Sequence, residues 1–149
     1  MNFDKILSIA GRPGLWEIKA QTRNGVVAQS LVDGKKLPVN IQNNISILAE
    51  IAIYTYTEEV PLREVFQAIG EKNNFKKTIS HKSSKTELED LFQEILPEYD
   101  EDRVYASDIK KIIQWYNLLV EKGIIDFSKE EEEANQEEEN KKEESKKEN

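Results

Sequence analysis

The chain of 149 residues contains no cysteine, a single histidine and no long apolar run. Without cysteine, a disulfide scaffold, thiol catalysis and cysteine-ligated metal sites are excluded. His81 alone cannot build a histidine-rich metal site. No segment approaches the roughly 20 apolar residues that span a bilayer, and the N-terminus, with Asp4 and a short apolar stretch, is unlike a signal peptide. We therefore expect a soluble cytoplasmic protein that needs no metal or cofactor and does not enter a membrane.

Charge is distributed unevenly, although 21 basic and 29 acidic residues give a formal net charge of −8. The pattern of charges and predicted elements divides the chain into four parts. These are a small β-barrel domain with a terminal helix (1–74), a basic linker (75–85), a helical hairpin domain (86–127) and a disordered Glu/Lys-rich tail (128–149). The first part carries no net charge and the linker has four lysines and no acid, whereas the last two parts are acidic.

Asn24-Gly25 is the clearest local signal, because this pair favours the type I′ turn of a two-residue hairpin loop. Before it, Trp16, Ile18 and Ala20 alternate with polar residues, which is typical of a strand with one buried face. A loop at 24–25 would place Ile18 opposite Leu31.

A second turn is predicted at Asp33-Gly34. We expect a three-residue loop with Gly34 in the left-handed conformation, so that Leu37 and Val39 share the face of Val27 and Leu31. Pro38 lacks an amide donor and therefore predicts an edge strand.

Strands are also predicted over Phe3–Ile9 and from Ile51 to Thr55, with one tight turn over 45–50. Five short strands with a short helical turn before the last indicate an α+β fold that begins with a small SH3-like antiparallel β-barrel. An open antiparallel sheet has the same sequence pattern.

Three helices follow, each with a start signal. Pro61 suits a first helical turn, Thr86 with Glu89 forms a candidate capping box, and Ser107 is a candidate cap for the last helix. The last two helices are predicted to form an antiparallel hairpin. Apolar stripes at helical spacing predict the buried faces: Leu62, Val65, Phe66, Ile69; Leu88, Leu91, Phe92, Ile95; Ile109, Ile112, Ile113, Tyr116, Leu119.

No motif predicts catalysis. The acidic loop 99–103 lacks the ligand spacing, glycine and final glutamate of an EF-hand. Gly11-Arg12-Pro13-Gly14 lacks the lysine-serine/threonine ending of a phosphate loop, so we interpret it as a tight turn between strands. We therefore expect no enzymatic activity.

Basic turns and one tryptophan are the candidate partner-binding residues. Arg12, Arg23, Lys35 and Lys36 all fall at predicted turns, which could bring them together at the barrel rim. Lys76, Lys77, Lys82 and Lys85 lie in the basic linker. Trp115 and Tyr116 cannot face the same side of a helix; if Tyr116 joins the core, Trp115 is an interface candidate, or else it packs against the barrel or residues 124–127.

Several motifs resemble an uncharacterised protein family of Bacteroidota, composed of domains of unknown function. The motifs are KILSIAGRPGLW (5–16), QTRNG (21–25), SLVDGKKLPV (30–39), IAIYT (51–55), PLREVF (61–66) and LPEYDEDRVYASDIKKIIQWYNLL (96–119). The resemblance covers about 1–127 and implies a β-rich N-terminal part and a helical C-terminal part. It implies no activity and no functional residue.

The sequence favours a non-enzymatic cytoplasmic binding or adaptor protein that acts through protein–protein contacts. The alternative is an RNA- or ribosome-associated protein that uses the basic turns and the linker lysines, since lysine and arginine bind phosphate by releasing counterions. A pI near 4.9 favours the first hypothesis, because an acidic chain repels phosphate unless its positive charge is segregated. The sequence predicts no oligomeric state.

Overall fold

The computed structural model describes residues 3–40, 42 and 45–124. Residues 125–127 of the predicted helical hairpin domain and the predicted tail 128–149 lie outside these residues. The described elements, after a 3₁₀ turn at Phe3–Lys5, are β1 (Ile6–Ile9), β2 (Arg12–Gln21), β3 (Gly25–Ser30), β4 (Lys36–Asn40), β5 (Ile45–Ile47), β6 (Ala52–Tyr54), β7 (Glu59–Pro61), α1 (Leu62–Asn73), α2 (Lys85–Ile95) and α3 (Ala106–Glu121).

Five antiparallel strands form one sheet in the order β4-β3-β2-β1-β5, and β6 pairs with β7 in a separate hairpin. The α+β fold with an antiparallel sheet is confirmed, and among the described strands the sheet does not close into a barrel. The fifth strand of the sheet is β5, which was predicted as part of a tight turn, and not the segment beginning at Ile51. Pro38 lies on the edge strand β4, as predicted.

The predicted β2–β3 register is wrong. The amide of Thr22 donates to the carbonyl of Gly25 at 2.9 Å, so the two loop residues are 23 and 24 instead of 24 and 25. Positive φ angles are absent at both, which excludes a type I′ turn there. A bulge between Ile18 and Ala20 shifts the pairing further, and Ile18 lies opposite Ala28.

The β3–β4 connection has four residues between Ser30 and Lys35, not three, since the Ser30 amide donates to the Lys35 carbonyl at 2.9 Å. Gly34 takes the predicted left-handed conformation, with φ 75°. The extra residue moves Leu37 and Val39 to the face of Ala28 and Val26, so the prediction that they share a face with Val27 and Leu31 is wrong.

The helices lie where the apolar stripes predict them, but two caps differ. Ser84, not Thr86, caps α2: its hydroxyl accepts from the Glu87 amide at 3.2 Å. At α3 the cap position is held by Tyr105, not Ser107, and Asp108 accepts from the Tyr105 amide at 3.0 Å. Val104 is buried, whereas the cap residue Tyr105 is 62% exposed.

Two apolar clusters stabilise the fold. The smaller lies on one face of the sheet and includes Leu7, Trp16, Ala28 and Val39. The larger begins at Phe3 and combines the opposite sheet face with all three helices, ending at Ile124. Its centre is formed by fully buried side chains: Phe66, Phe92, Ile109, Ile113 and Tyr116.

Segment 75–85 contacts α3 directly. The Tyr116 hydroxyl donates to the Lys76 carbonyl at 2.7 Å, and the Asn117 side chain accepts from the Thr78 amide and donates to the Ile79 carbonyl at 2.8 and 3.0 Å. Ile79 packs against the larger cluster. These bonds hold the basic segment against the helical part of the molecule.

Candidate partner-binding cleft

The largest of the three cavities that form the candidate site lies between the β1–β2 turn and α3, with a volume of about 590 Å³. We call it the Trp115 cleft. One wall is the backbone and side chains of Ala10 to Gly14, and the other consists of Lys111, Gln114 and Trp115. Ile51 and β5 complete the lining.

The helical repeat explains why Trp115 reaches this cleft. Ile112 and Tyr116 lie on the buried stripe of α3, so Trp115 falls on its flank, half-buried against the larger cluster. Lys111 lies one turn earlier on the same side of the helix. An indole face and a cationic side chain therefore line the cleft together.

Two smaller cavities adjoin the Trp115 cleft. One, of about 280 Å³, shares Ile51, Lys111 and Trp115 with it and extends to Tyr54 and Arg103. The other, of about 360 Å³, shares Arg12 and extends to the edge strand β4. We call the three together the furrow. It crosses the molecule from β4 to the β6–β7 hairpin.

Tyr54 and Arg103 form the end of the furrow beside this hairpin. The Arg103 guanidinium carbon lies 5.0 Å from the centroid of the Tyr54 ring, a cation–π distance. Arg103 also pairs with Asp100 at 3.5 Å. Tyr56 and Tyr105 nearby in the chain are each 62% exposed, which adds aromatic surface of the type that dominates protein interfaces.

The electrostatics of the Trp115 cleft are one-sided. Within the described part of the chain, its lining includes Arg12 and Lys111 but no carboxylate. Neither cation forms an ion pair with any residue that the structure describes. The lining of this cleft is therefore positive beside an aromatic ring, which favours a ligand bearing carboxylates, whereas Asp108 adds a carboxylate to the adjoining cavity that shares Lys111.

The topology separates the predicted basic rim. Lys35 and Lys36 lie at the same end of the sheet as Arg12, because alternate hairpin turns meet at one end. Arg23 lies in the β2–β3 turn at the opposite end, about 30 Å away along a ten-residue strand. Of these four residues only Arg12 lines the furrow.

The linker lysines lie away from the furrow. Lys77 pairs with Glu121 at 3.4 Å, and its charge is partly compensated. Lys76, Lys82 and Lys85 are exposed and line none of the three cavities. The structure therefore does not bring the predicted basic residues into one patch.

Sequence reasoning missed Lys111, Arg103 and Tyr54. Lys111 lies four residues before Trp115, and this helical spacing was an available signal. The contact between the β1–β2 turn and α3 has no such signal in the sequence, because it joins residues about 100 positions apart.

Three further properties of the described residues bear on their chemistry: metal ligation, membrane spanning and tyrosine ionisation. They contain no group of three or more His, Asp or Glu side chains placed to hold a metal ion. Their helices include none that is long and apolar enough to cross a bilayer. Burial raises the pKa of Tyr116 and Tyr99, but neither residue lines the furrow.

Comparison with known proteins identifies the family. Residues 3–48 match the model described as domain of unknown function DUF5606, and residues 51–119 match domain of unknown function DUF6852. A solution NMR structure from Bacteroides vulgatus, a structural genomics target, is 43% identical, covers 85% of this chain and 91% of its own, and superposes with a TM-score of 0.69. The chain belongs to this Bacteroidota family of unknown function. A search of curated proteins found none that matches this chain.

Proposed function

We propose that this protein is a non-enzymatic binding or adaptor protein of the cytoplasm, and that it binds a protein partner through the furrow. The observation that supports this most strongly is the Trp115 cleft, where an aromatic side chain and two cations without an ion pair to any described residue line one cavity. Trp, Tyr and Arg are the residues in which interface binding energy concentrates. All three types line the furrow.

A protein partner is favoured over RNA by the placement of charge. Single-stranded nucleic acid needs a continuous cationic groove beside its stacking platforms. Here Arg23 lies at the far end of the sheet, and the linker lysines lie outside the furrow. Acidic residues Asp100, Glu101 and Asp102 follow Tyr99 next to the aromatic end, where they would repel phosphate.

The experiment is affinity capture from a lysate of the source bacterium, with and without nuclease. The bait is compared with Lys111→Glu, which reverses a charge in the Trp115 cleft. Its matched control is Lys110→Glu, the same change on the next residue of α3, which is exposed and outside the furrow. Captured proteins are then tested for direct binding by titration.

We expect at least one protein that is still captured after nuclease treatment and binds the bait directly. Its capture should be lost with Lys111→Glu and retained with Lys110→Glu. Equal loss with both variants, or none, would overturn the assignment to the furrow. Capture abolished by nuclease would favour the RNA alternative instead. In that case RNA binding should weaken steeply with salt, by about 0.7 log units per phosphate neutralised per log unit of salt, and replacing Lys76, Lys77, Lys82 and Lys85 by Gln should reduce that slope.

A further inference from the structure

Strand β6 is fully paired along one edge and only partly paired along the other. The residues on either side of it, Ile51 and Thr55, each form a main-chain hydrogen bond of 2.8 Å to residues that adjoin β7. In an antiparallel pair, consecutive residues turn their main-chain groups to opposite edges. The amides and carbonyls of Ala52 and Tyr54 therefore point away from β7.

The chain near residue 100 pairs with this second edge for a short distance and then turns away. The Asp100 amide donates to the Tyr54 carbonyl at 2.9 Å. The Asp100 carbonyl instead accepts from the amides of Arg103 and Val104, at 3.1 and 2.8 Å. In the part of the chain that the structure describes, no residue bonds to the Tyr54 amide or to the amide and carbonyl of Ala52. Three neighbouring main-chain groups of β6 are therefore available to an added strand.

Two other described edges are protected from such pairing by proline. On β4, the alternation that begins at the Ser30–Lys35 bond turns Pro38 outward. On β7, the same alternation turns Pro61 outward. Proline has no amide to donate, and proline or charged residues on an edge strand are known means of preventing strand addition. Strand β6 carries neither kind of residue.

A cavity of about 280 Å³ lies beside the open edge of β6 and forms one part of the furrow. Ile53 is buried, whereas Ala52 and Tyr54 expose their side chains. In a strand added to β6, the residue opposite Ala52 would share this exposed face, and its two neighbours would share the face of Ile53. The apolar part of the cavity lining, which includes Ile112 and Trp115, suits apolar side chains at these neighbouring positions.

Lys111 is the charged residue of this cavity with the fewest contacts. Asp108 accepts from a main-chain amide at 3.0 Å, and Arg103 pairs with Asp100 at 3.5 Å. Lys111 pairs with no carboxylate of the described residues. A carboxylate on the added segment would therefore complement Lys111 without breaking a described ion pair.

We propose that the partner binds the furrow through an extended peptide segment that adds to β6 as a strand, with apolar residues flanking the one opposite Ala52 and a carboxylate beside Lys111. This inference rests on the proposed function for the existence of a partner, and it specifies how the partner binds. Main-chain hydrogen bonds supply affinity in this mode of recognition, and pockets for alternate side chains supply specificity.

The probe is a peptide selected on the full-length protein from a phage-displayed library of random peptides, then synthesised and methylated at each main-chain nitrogen in turn. We expect one sensitive position, the residue that donates to the Ala52 carbonyl, where methylation weakens binding by about fivefold or more. Its two neighbours should tolerate methylation. In the isotopically labelled protein, hydrogen exchange of the Ala52 and Tyr54 amides should slow on binding. Selection of no peptide, or binding without these two signatures, would overturn the proposal.

Matched proline variants assign the edge. Ala52→Pro removes an amide that points away from β7, and the preceding Ile51 has φ −78° and ψ 137°, which a following proline permits. Glu59→Pro removes an outward amide from β7 and is the control. Peptide affinity should fall by at least about fivefold with Ala52→Pro and be retained with Glu59→Pro; equal affinities of the two variants would contradict pairing with β6. Methylation changes the peptide alone, so that series decides the matter if a proline variant fails to fold.

The same variants separate this inference from the proposed function. If Lys111→Glu abolishes capture of a lysate protein and Ala52→Pro does not, the furrow is the partner site and strand addition fails. If the selected peptide shows both signatures while capture from the lysate is insensitive to Lys111→Glu, peptide pairing with β6 stands and the proposed function fails.

Discussion

The hydroxyl of Tyr116 donates a hydrogen bond of 2.7 Å to the main-chain carbonyl of Lys76. Tyr116 is fully buried on α3 and packs beside Phe66, with 6.3 Å between ring centroids. The bond therefore joins the centre of the larger cluster to the backbone of the basic segment.

Tyr116→Phe should lower the free energy of unfolding by about 1 kcal/mol, because the ring is kept while the hydrogen bond to the Lys76 carbonyl is lost. Chemical denaturation measures the change. Tyr105→Phe is the control: this side chain is 62% exposed, and its variant should match the parent. Equal stability of all three proteins would contradict the importance of the bond.

Stability should fall at alkaline pH. Burial raises the pKa of Tyr116, and burial followed by the nearby Glu101 charge raises that of Tyr99. The unfolded chain then loses these protons first as the pH passes about 10, so it binds fewer protons than the folded chain and unfolding becomes more favourable. The two tyrosines therefore make their full contribution to the free energy of unfolding below pH 10, and this contribution is lost as the pH rises through their folded-state pKa values.

Unfolding curves between pH 9 and 11 check this expectation. Tyr116→Phe removes one of the two raised groups, so its stability should decline less steeply with pH than that of the parent. Parallel pH profiles for the two proteins would show that Tyr116 does not carry the linkage.

Gly25→Ala should be strongly destabilising, by roughly 3 kcal/mol, because the added methyl would fall on the Val39 carbonyl of β4, a backbone atom that cannot turn away. Gly34→Ala is the comparison. Its φ of 75° strains any side chain, but the nearest atom is 3.9 Å away, so the cost should be only about 1 kcal/mol. Thermal or denaturant unfolding that ranks the two variants in the opposite order would contradict the close packing of β3 on β4.

Ser84→Ala should cost about 1 kcal/mol, since it removes the acceptor for the Glu87 amide at the start of α2. Thr86→Ala changes a residue already inside the helix and should leave the unfolding free energy within error or slightly higher. The pair distinguishes the observed cap from the one that the sequence predicted.

Periodicity predicted the parts of the fold that depend on one face being buried. The stripe from Ile109 to Leu119 on α3 is buried throughout, and Pro38 lies on an edge strand because its missing amide leaves no ladder bond to make. Both features follow from local chemistry. They needed no knowledge of the neighbouring elements.

Register and strand membership depend on contacts that local sequence does not encode. The loop of the β2–β3 hairpin begins one residue earlier than predicted, and a bulge lies at Lys19. Ile18 therefore pairs with Ala28 and not with the predicted Leu31. Three-residue strands such as β5 and β6 carry too little pattern to show which sheet they join. The candidate site has the same limit: Trp115 was predictable as a flank residue, whereas its cavity requires a turn near the start of the chain.

The two apolar clusters have different positions along the chain, which matters while the protein is being made. Residues between Leu7 and Ile47 suffice for the smaller cluster, but the larger one needs side chains as late as Ile124. A nascent chain that has formed its sheet therefore still exposes the face with Ile6, Leu15 and Leu31 to water until α3 leaves the ribosome. Exposed apolar surface of this kind makes a partly folded chain prone to aggregation, and the cluster is complete only when the chain has been made through Ile124.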